Sequence, residues 1–255
     1  MTILILNTKG GSGKSTTALQ VASTFFLAQS ELVELCELDN QNQDAAAFTA
    51  TTVKTRQVQV EVNAKDLNAT VRDLFINSSV NSVIDVGGNE TTSKFILSLK
   101  QTNMYKLVNL IIIPISSGAQ DFINAKRTLE LVHEFDIPVI FSLTRSRHGR
   151  DSKRLQFQYS AFFEEFGSKY PYFVLVDSDV VDLSRRLKKT IYEIASDDQL
   201  KKELEELLDA AFVTMDRPAI YSHSLTLEIL GDSKVFTEEC ILPAHSIIAK
   251  AFKNE

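Results

Sequence analysis

The chain has 255 residues, 44% of them hydrophobic and 24% charged, enough apolar material for one large α/β domain with a full core. No apolar run approaches the roughly eighteen residues of a membrane span, and no signal-peptide pattern precedes the first apolar stretch. Two cysteines, Cys36 and Cys240, are too few and too distant for a disulfide or metal framework, and a net charge of −6 confines any nucleic-acid contact to a local patch. A reducing, cytoplasmic setting fits, and a single domain over 1–255 is expected, with a core at about 1–213 and a C-terminal extension at about 214–255.

Ile3 to Leu6 reads as a buried strand, and Ala18, Leu19, Val21, Ala22, Phe25 and Phe26 recur at helical spacing. Between them lies Thr8-Lys9-Gly10-Gly11-Ser12-Gly13-Lys14-Ser15-Thr16. Strand, glycine-rich loop and helix in that order are the context of a phosphate-binding loop. The glycines let successive N–H groups converge on an anion at the positive end of the helix dipole. Lys14 is then the candidate for the terminal phosphates, Ser15 for Mg²⁺, and Gly10, Gly11, Ser12, Gly13 and Thr16 complete the cradle. The glycine that usually opens such a loop is replaced by Thr8, and a second lysine, Lys9, stands before the paired glycines.

Leu32 to Asp39 predicts a second strand, which completes a βαβ unit and implies a parallel sheet. The alternation over Gln57–Val62 predicts a half-exposed strand near a sheet edge, followed by a helix around 66–78. Val80 to Gly88 reads as an apolar strand ending in Asp85, a Walker B form whose carboxylate suits Mg²⁺ held through water. Gly87 and Gly88 allow close backbone approach to the phosphates. Leu107–Ile115, Pro138–Leu143 and Tyr172–Val176 are further strands, with a helix over Ala119–Phe135. Arg145, Arg147, Arg150, Lys153 and Arg154 crowd one short stretch, and Arg185, Arg186, Lys188 and Lys189 a second; both are candidates for phosphate tracking along DNA. Asp198–Phe212 is strongly helical, and Pro218 breaks the pattern. His133, His148, His223 and His245 lack metal spacing and read as structural or surface residues. In the tail, Ile247, Ile248, Ala251 and Phe252 fit a short helix docked on the domain better than a membrane anchor.

The Lys9-Gly-Gly-x-Gly-Lys14-Ser15 form is the deviant Walker A sequence, and on it, with Asp39-x-Gln41 and Asp85, the chain resembles the ParA/MinD family of ATPases over about residues 1–195. The resemblance implies a P-loop NTPase fold, a mostly parallel twisted sheet of seven or eight strands with helices on both faces. It implies ATP and Mg²⁺ as cofactors, with Ser15, Asp39 and Asp85 on the metal side. Lys9, Lys14 and Asp39 become the catalytic set, Lys9 reaching across a nucleotide sandwich dimer. Glu37 and Asn40 depart from the family pattern, and so does the strand end at Thr144-Arg145, where an adenine-reading Asn is common. The implied function is a dimerising switch ATPase for plasmid or chromosome partition or cargo positioning, in a chain that starts without a DNA-reading domain. Its ATP dimer binds non-specific DNA and is released when an adaptor protein stimulates hydrolysis. Two other functions stay open at this point: a nucleotide-dependent scaffold in plasmid transfer or secretion, and a metabolic synthetase of the dethiobiotin type.

Overall fold

Strand β1 (Thr2–Ile5) sends alternate side chains to opposite faces of a sheet, and both faces are covered: Ile3 and Ile5 enter one core, Leu4 and the following Leu6 the other. Such a strand, apolar on both faces, belongs in the middle of a parallel sheet. The computed structural model, which describes residues 1–38, 45–59, 64–76, 80–88 and 90–253, places it there. The other strands are β2 (Val33–Leu38), β3 (Lys54–Gln57), β4 (Asn81–Val86), β5 (Leu110–Ile115), β6 (Val139–Ser146) and β7 (Tyr172–Val176). Among the described residues the sheet has seven strands in the order β3-β2-β4-β1-β5-β6-β7, every neighbouring pair parallel.

The first helix opens as α1 (Lys14–Thr17), runs as a π-helical stretch over Ala18–Ser23, and continues as α2 (Thr24–Leu27). Then come α3 (Ala64–Ile76), α4 (Glu90–Thr102), α5 (Ala119–Val132), α6 (Lys153–Gln158), α7 (Ser160–Glu165), α8 (Val180–Leu187) and α9 (Ile191–Ala195). The chain ends in α10 (Asp198–Thr214), α11 (Arg217–Phe236), a π-helical turn at Thr237–Ile241 and α12 (Leu242–Lys253). One core gathers Phe25, Phe26, Leu183, Ile194, Ile229 and Ile248 from the loop helix, α8, α9, α11 and α12. The opposite core gathers Leu74, Phe95, Leu129 and Phe162 from α3, α4, α5 and α7. The molecule is therefore a three-layer α/β fold of P-loop NTPase type, as the sequence predicts.

The edge strand begins earlier than expected, at Lys54–Gln57, and Val58 N–H still donates to the Glu37 carbonyl of β2 at 2.9 Å; residues 60–62 of the expected Gln57–Val62 strand lie outside the described residues. The edge position itself holds, because β3 pairs only with β2 and shows its polar side chains to solvent. Pro218 opens α11 instead of ending regular structure, with Asp216 accepting from Ala219 N–H as N-cap. Among the described residues no helix is long and apolar enough to cross a membrane.

Helix α12 docks on the loop helix through His245. Its Nε2 lies 3.1 Å from Thr24 Oγ1 and 3.2 Å from the Val21 carbonyl, and the ring packs beside Phe25 and Tyr192. Burial pulls the imidazole down to about 4, against the raising effect of the Val21 carbonyl. Between its unfolded value near 6.5 and about 4, the unfolded chain binds a proton that the folded chain refuses, so stability falls as the pH falls. This group should contribute about 1.4 kcal/mol of loss per pH unit in that window. Urea unfolding at pH 7, 6 and 5 should show the slope in the native protein and a smaller one in His245→Gln; equal slopes would disprove the buried neutral ring.

Candidate functional site

The loop between β1 and α1 emerges at the carboxyl edge of the sheet, where connections leave β1 toward β2 on one side and cross from β4 to β5 on the other. An open parallel sheet places ligands in such a crevice. Gly11 and Gly13 take left-handed backbone, with φ of 74° and 86°. Left-handed glycines alternating with right-handed residues turn successive N–H groups to one concave side. A Cβ at Gly13 would meet Thr144 at 2.9 Å, and Thr144 Oγ1 donates to the Ser12 carbonyl at 2.8 Å, so the end of β6 clamps the loop. Gly88, after β4, passes so close that a Cβ there would lie 2.7 Å from Gly10 N and 2.9 Å from its Cα.

Buried polar groups hold the start of the loop. Asn7 Nδ2 donates to the Pro114 carbonyl at 2.6 Å, its Oδ1 accepts from Lys9 N–H at 2.8 Å, and its carbonyl accepts from Thr92 Oγ1 at 3.1 Å. Thr8, standing where a glycine is usual, is fastened to α5: its N–H donates to Thr128 Oγ1 and its hydroxyl to the Asn124 carbonyl.

The two lysines are placed differently. Lys14 is buried, and its ammonium donates to the Lys9 carbonyl at 2.9 Å, inside the loop. The Lys9 side chain is 37% exposed and forms an ion pair with Asp121, a carboxylate only 7% exposed in the first turn of α5. Ser116 Oγ also donates to Asp121, at 2.5 Å. Burial alone would raise the Asp121 carboxyl, but the hydrogen bonds from Lys9 and Ser116 and the Lys9 charge outweigh it and hold the group below its ordinary value. Lys9 thus rests at the rim of the loop, turned to an acceptor outside the phosphate cradle.

On the other side of the loop helix, Ser15, Thr16 and Asp85 face a small compartment of about 20 Å³, closed by Leu19, Leu35, Phe48 and Val181. Asp85 is buried near the end of β4, in register with Glu37 of β2. The Glu37 carboxylate accepts from Ala45 N–H at 3.3 Å. One serine hydroxyl with one carboxylate, a second carboxylate close by, suits Mg²⁺, which keeps most of its waters and takes few protein ligands. Ser15 and Asp85 are the residues that would hold it. Asp39, Asn40 and Gln41 lie outside the described residues.

A larger cleft of about 320 Å³ opens between the ends of β6 and β7, lined by Gly13, Thr16, Thr144, Arg145, Asp177, Ser178, Asp182 and Arg185 among others. Arg145 sits at a bulge in β6 with φ of 56°, which re-aims an otherwise buried strand toward this opening. The bulge is braced by Tyr159, whose hydroxyl donates to the Thr144 carbonyl at 2.6 Å, and by Gln158 on the Arg145 carbonyl and Arg147 N–H. The two basic groups are therefore divided. Arg145 and Arg185 share the cleft, while Arg150 lies over the Tyr172 ring at 5.4 Å. Arg147, Arg150, Lys153 and Arg154 make no ion pair among the described residues, and Phe157, in the same stretch of chain, is 88% exposed. In the second group Arg185 pairs with Asp182 and Lys189 with Asp197, and Lys188 caps α8 in left-handed backbone beside exposed Arg186.

Sequence reasoning missed Asn7, Asp121 and Gln20, and treated Glu37 only as a departure. Gln20 is buried and ties the loop helix to two others, its Nε2 donating to Ser184 Oγ at 2.8 Å and its Oε1 accepting from Ile191 N–H at 2.7 Å. A polar residue on the apolar face of a predicted helix was the available signal for it.

The sequence profile of CbiA, the CobQ/CobB/MinD/ParA nucleotide binding domain, matches residues 3–204. No curated protein matches the chain by sequence. Among solved structures, apo McdA of Cyanothece is similar with a TM-score of 0.55 and 16% identity, over 79% of this chain and 95% of that one. The MinD cell division protein of Aquifex aeolicus gives 0.54 and 14%, over 77% and 89%. A Borrelia burgdorferi protein described as a plasmid partition protein, bound to AMPPNP, gives 0.50 and 16%, over 73% and 88%. At these identities the structures attest the fold.

Proposed function

Since the chain belongs to the CobQ/CobB/MinD/ParA nucleotide-binding domain family, we propose that it is a dimerising switch ATPase for DNA partition or cargo positioning. The carrying observation is the division of labour between its two lysines: Lys14 folded into the loop, Lys9 at the rim on Asp121. In this reading ATP lies with its terminal phosphates on the amides of Gly10–Thr16 and its nucleoside in the cleft beside Thr144 and Asp177. Lys14 compensates charge on the terminal phosphates, and Mg²⁺, when bound by Ser15 and Asp85, supplies charge neutralisation there. Asp39, with its acceptor oxygens, positions the attacking water. Phosphoryl transfer to water asks mainly for such positioning and charge compensation. Lys9 leaves Asp121 and crosses to the phosphates of a second subunit, so ATP favours the dimer and hydrolysis releases it. Arg147, Arg150, Lys153 and Arg154, doubled in the dimer, form the surface for DNA phosphates.

The deciding experiment measures binding to a non-specific duplex with ATP, ADP or no nucleotide across a salt series. Tight, salt-sensitive binding with ATP alone is expected. ATP-dependent dimers indifferent to DNA would refute the partition reading and leave a protein scaffold. The close approach at Gly88 gives an independent check of the nucleotide site. Gly88→Ala drives a methyl group into the Gly10 backbone and should lower the melting temperature and, in the protein still folded, weaken ATP binding by on the order of tenfold or more. Unaltered affinity would mean that the loop does not carry the phosphates.

A further inference from the structure

We propose that Arg185 is a nucleotide-binding residue that holds the phosphate next to the ribose, an assignment that rests on the ATP reading above. Among the described residues, the compartment with Ser15 and Asp85 and the cleft with Thr144 and Asp177 share three lining residues: Thr16, Val181 and Arg185. The cleft itself carries the loop's Gly13 and Thr16 at one end and Thr144 and Asp177 at the other, so a nucleotide with its terminal phosphates in the loop and its nucleoside in the cleft runs past Thr16 and Arg185. The group that passes there is the α-phosphate. Thr16 and Val181 offer no charge, and the guanidinium of Arg185 supplies it in a planar fork matched to two phosphate oxygens.

The placement is built into the fold. Helix α8 is fixed to the loop helix by the bond between Gln20 and Ser184, the residue just before Arg185, and by Val180 and Leu183 in the shared core. Arg185 therefore keeps its distance to Thr16 whatever its side chain does. Its partner Asp182, one turn back at 3.1 Å, lines the same cleft and holds the guanidinium at its mouth. Both members are more than half exposed, so the pair is weak and yields to an anion. This separates Arg185 from Arg186 and Lys188, which remain on the outer surface, and from Lys189, committed to Asp197. The α-phosphate is common to ATP and ADP, so Arg185 serves both nucleotide states, whereas a residue sensing the terminal phosphate distinguishes them.

The test is calorimetric titration of the full-length wild type, Arg185→Ala and Arg185→Lys with ATP and with ADP, alongside duplex DNA binding at saturating ATP. Arg185→Ala should weaken ATP and ADP by the same factor, about tenfold, and lysine should restore part of it. DNA affinity at saturating nucleotide should stay unchanged. Unchanged affinity for both nucleotides, with or without a loss on DNA, would overturn the assignment. A loss for ATP alone would overturn it as well, by moving the contact to the terminal phosphate. A wild type that takes up neither nucleotide would refute the ATP reading itself, and this assignment with it.

Discussion

Lys14→Ala is expected to abolish measurable ATP binding, with a loss on the order of 100-fold, while the fold survives. Lys14 is buried at the opening of α1, and its ammonium reaches back over the loop to the Lys9 carbonyl. A charge held there meets an anion in a largely desolvated cradle, where charge-assisted hydrogen bonds are at their strongest. Truncation leaves the bound phosphates without that compensation, and losses of this size are usual when one partner of a buried charged contact is removed. In the folded state without ligand the substitution removes the bond to the Lys9 carbonyl. Titration with ATP should go flat while the protein still melts cooperatively; ATP binding within threefold of wild type would remove Lys14 from the site.

The second large effect concerns the pair at the rim, where two substitutions should act in opposite directions. Lys9→Ala should leave ATP affinity within about threefold and abolish the ATP-dependent dimer, because the exposed lysine contributes little within its own subunit. Asp121→Asn keeps the shape and the Ser116 contact but removes the charge that holds Lys9 in place. Lys9 is then freer to reach a neighbouring subunit, and the dimer should form at about threefold lower ATP. Size-exclusion chromatography across an ATP series reads both. A Lys9→Ala dimer, or an Asp121→Asn protein that dimerises less readily, would sink the trans assignment. The depressed Asp121 carboxyl adds a pH signature: the ion pair is complete above the ordinary carboxylate value and is lost as the pH falls through the lowered one. The restraint on Lys9 should therefore be constant at neutral pH.

The layers of the fold were legible because a parallel sheet needs strands apolar on both faces, and β1, β4 and β5 announce this in consecutive residues. The start of the edge strand was not legible because Lys54–Gln57 has no apolar residue to mark it, and the apolar alternation begins only at its last residue. The loop was legible because its glycines and lysines are fixed in spacing by one short turn. Asp121 was not legible, since it stands 112 positions from Lys9 and only the sheet brings the two together. Arg185 was read as part of a basic run for a related reason: sequence shows the density of charge, and which cation turns inward depends on the pose of α8. Thr144 was noted only as the absence of an amide, although it clamps the loop at Gly13.

Gln20 carries a consequence for how the molecule can vary. One amide donates to α8 and accepts from the first turn of α9, both from the middle of the loop helix. Glutamate at this position would keep the acceptor and lose the donor, an aliphatic residue would lose both, and asparagine would be one methylene short. Position 20 is therefore a coupling pin with a single chemical solution, and a chain that changes it must redesign the α8–α9 corner in the same step.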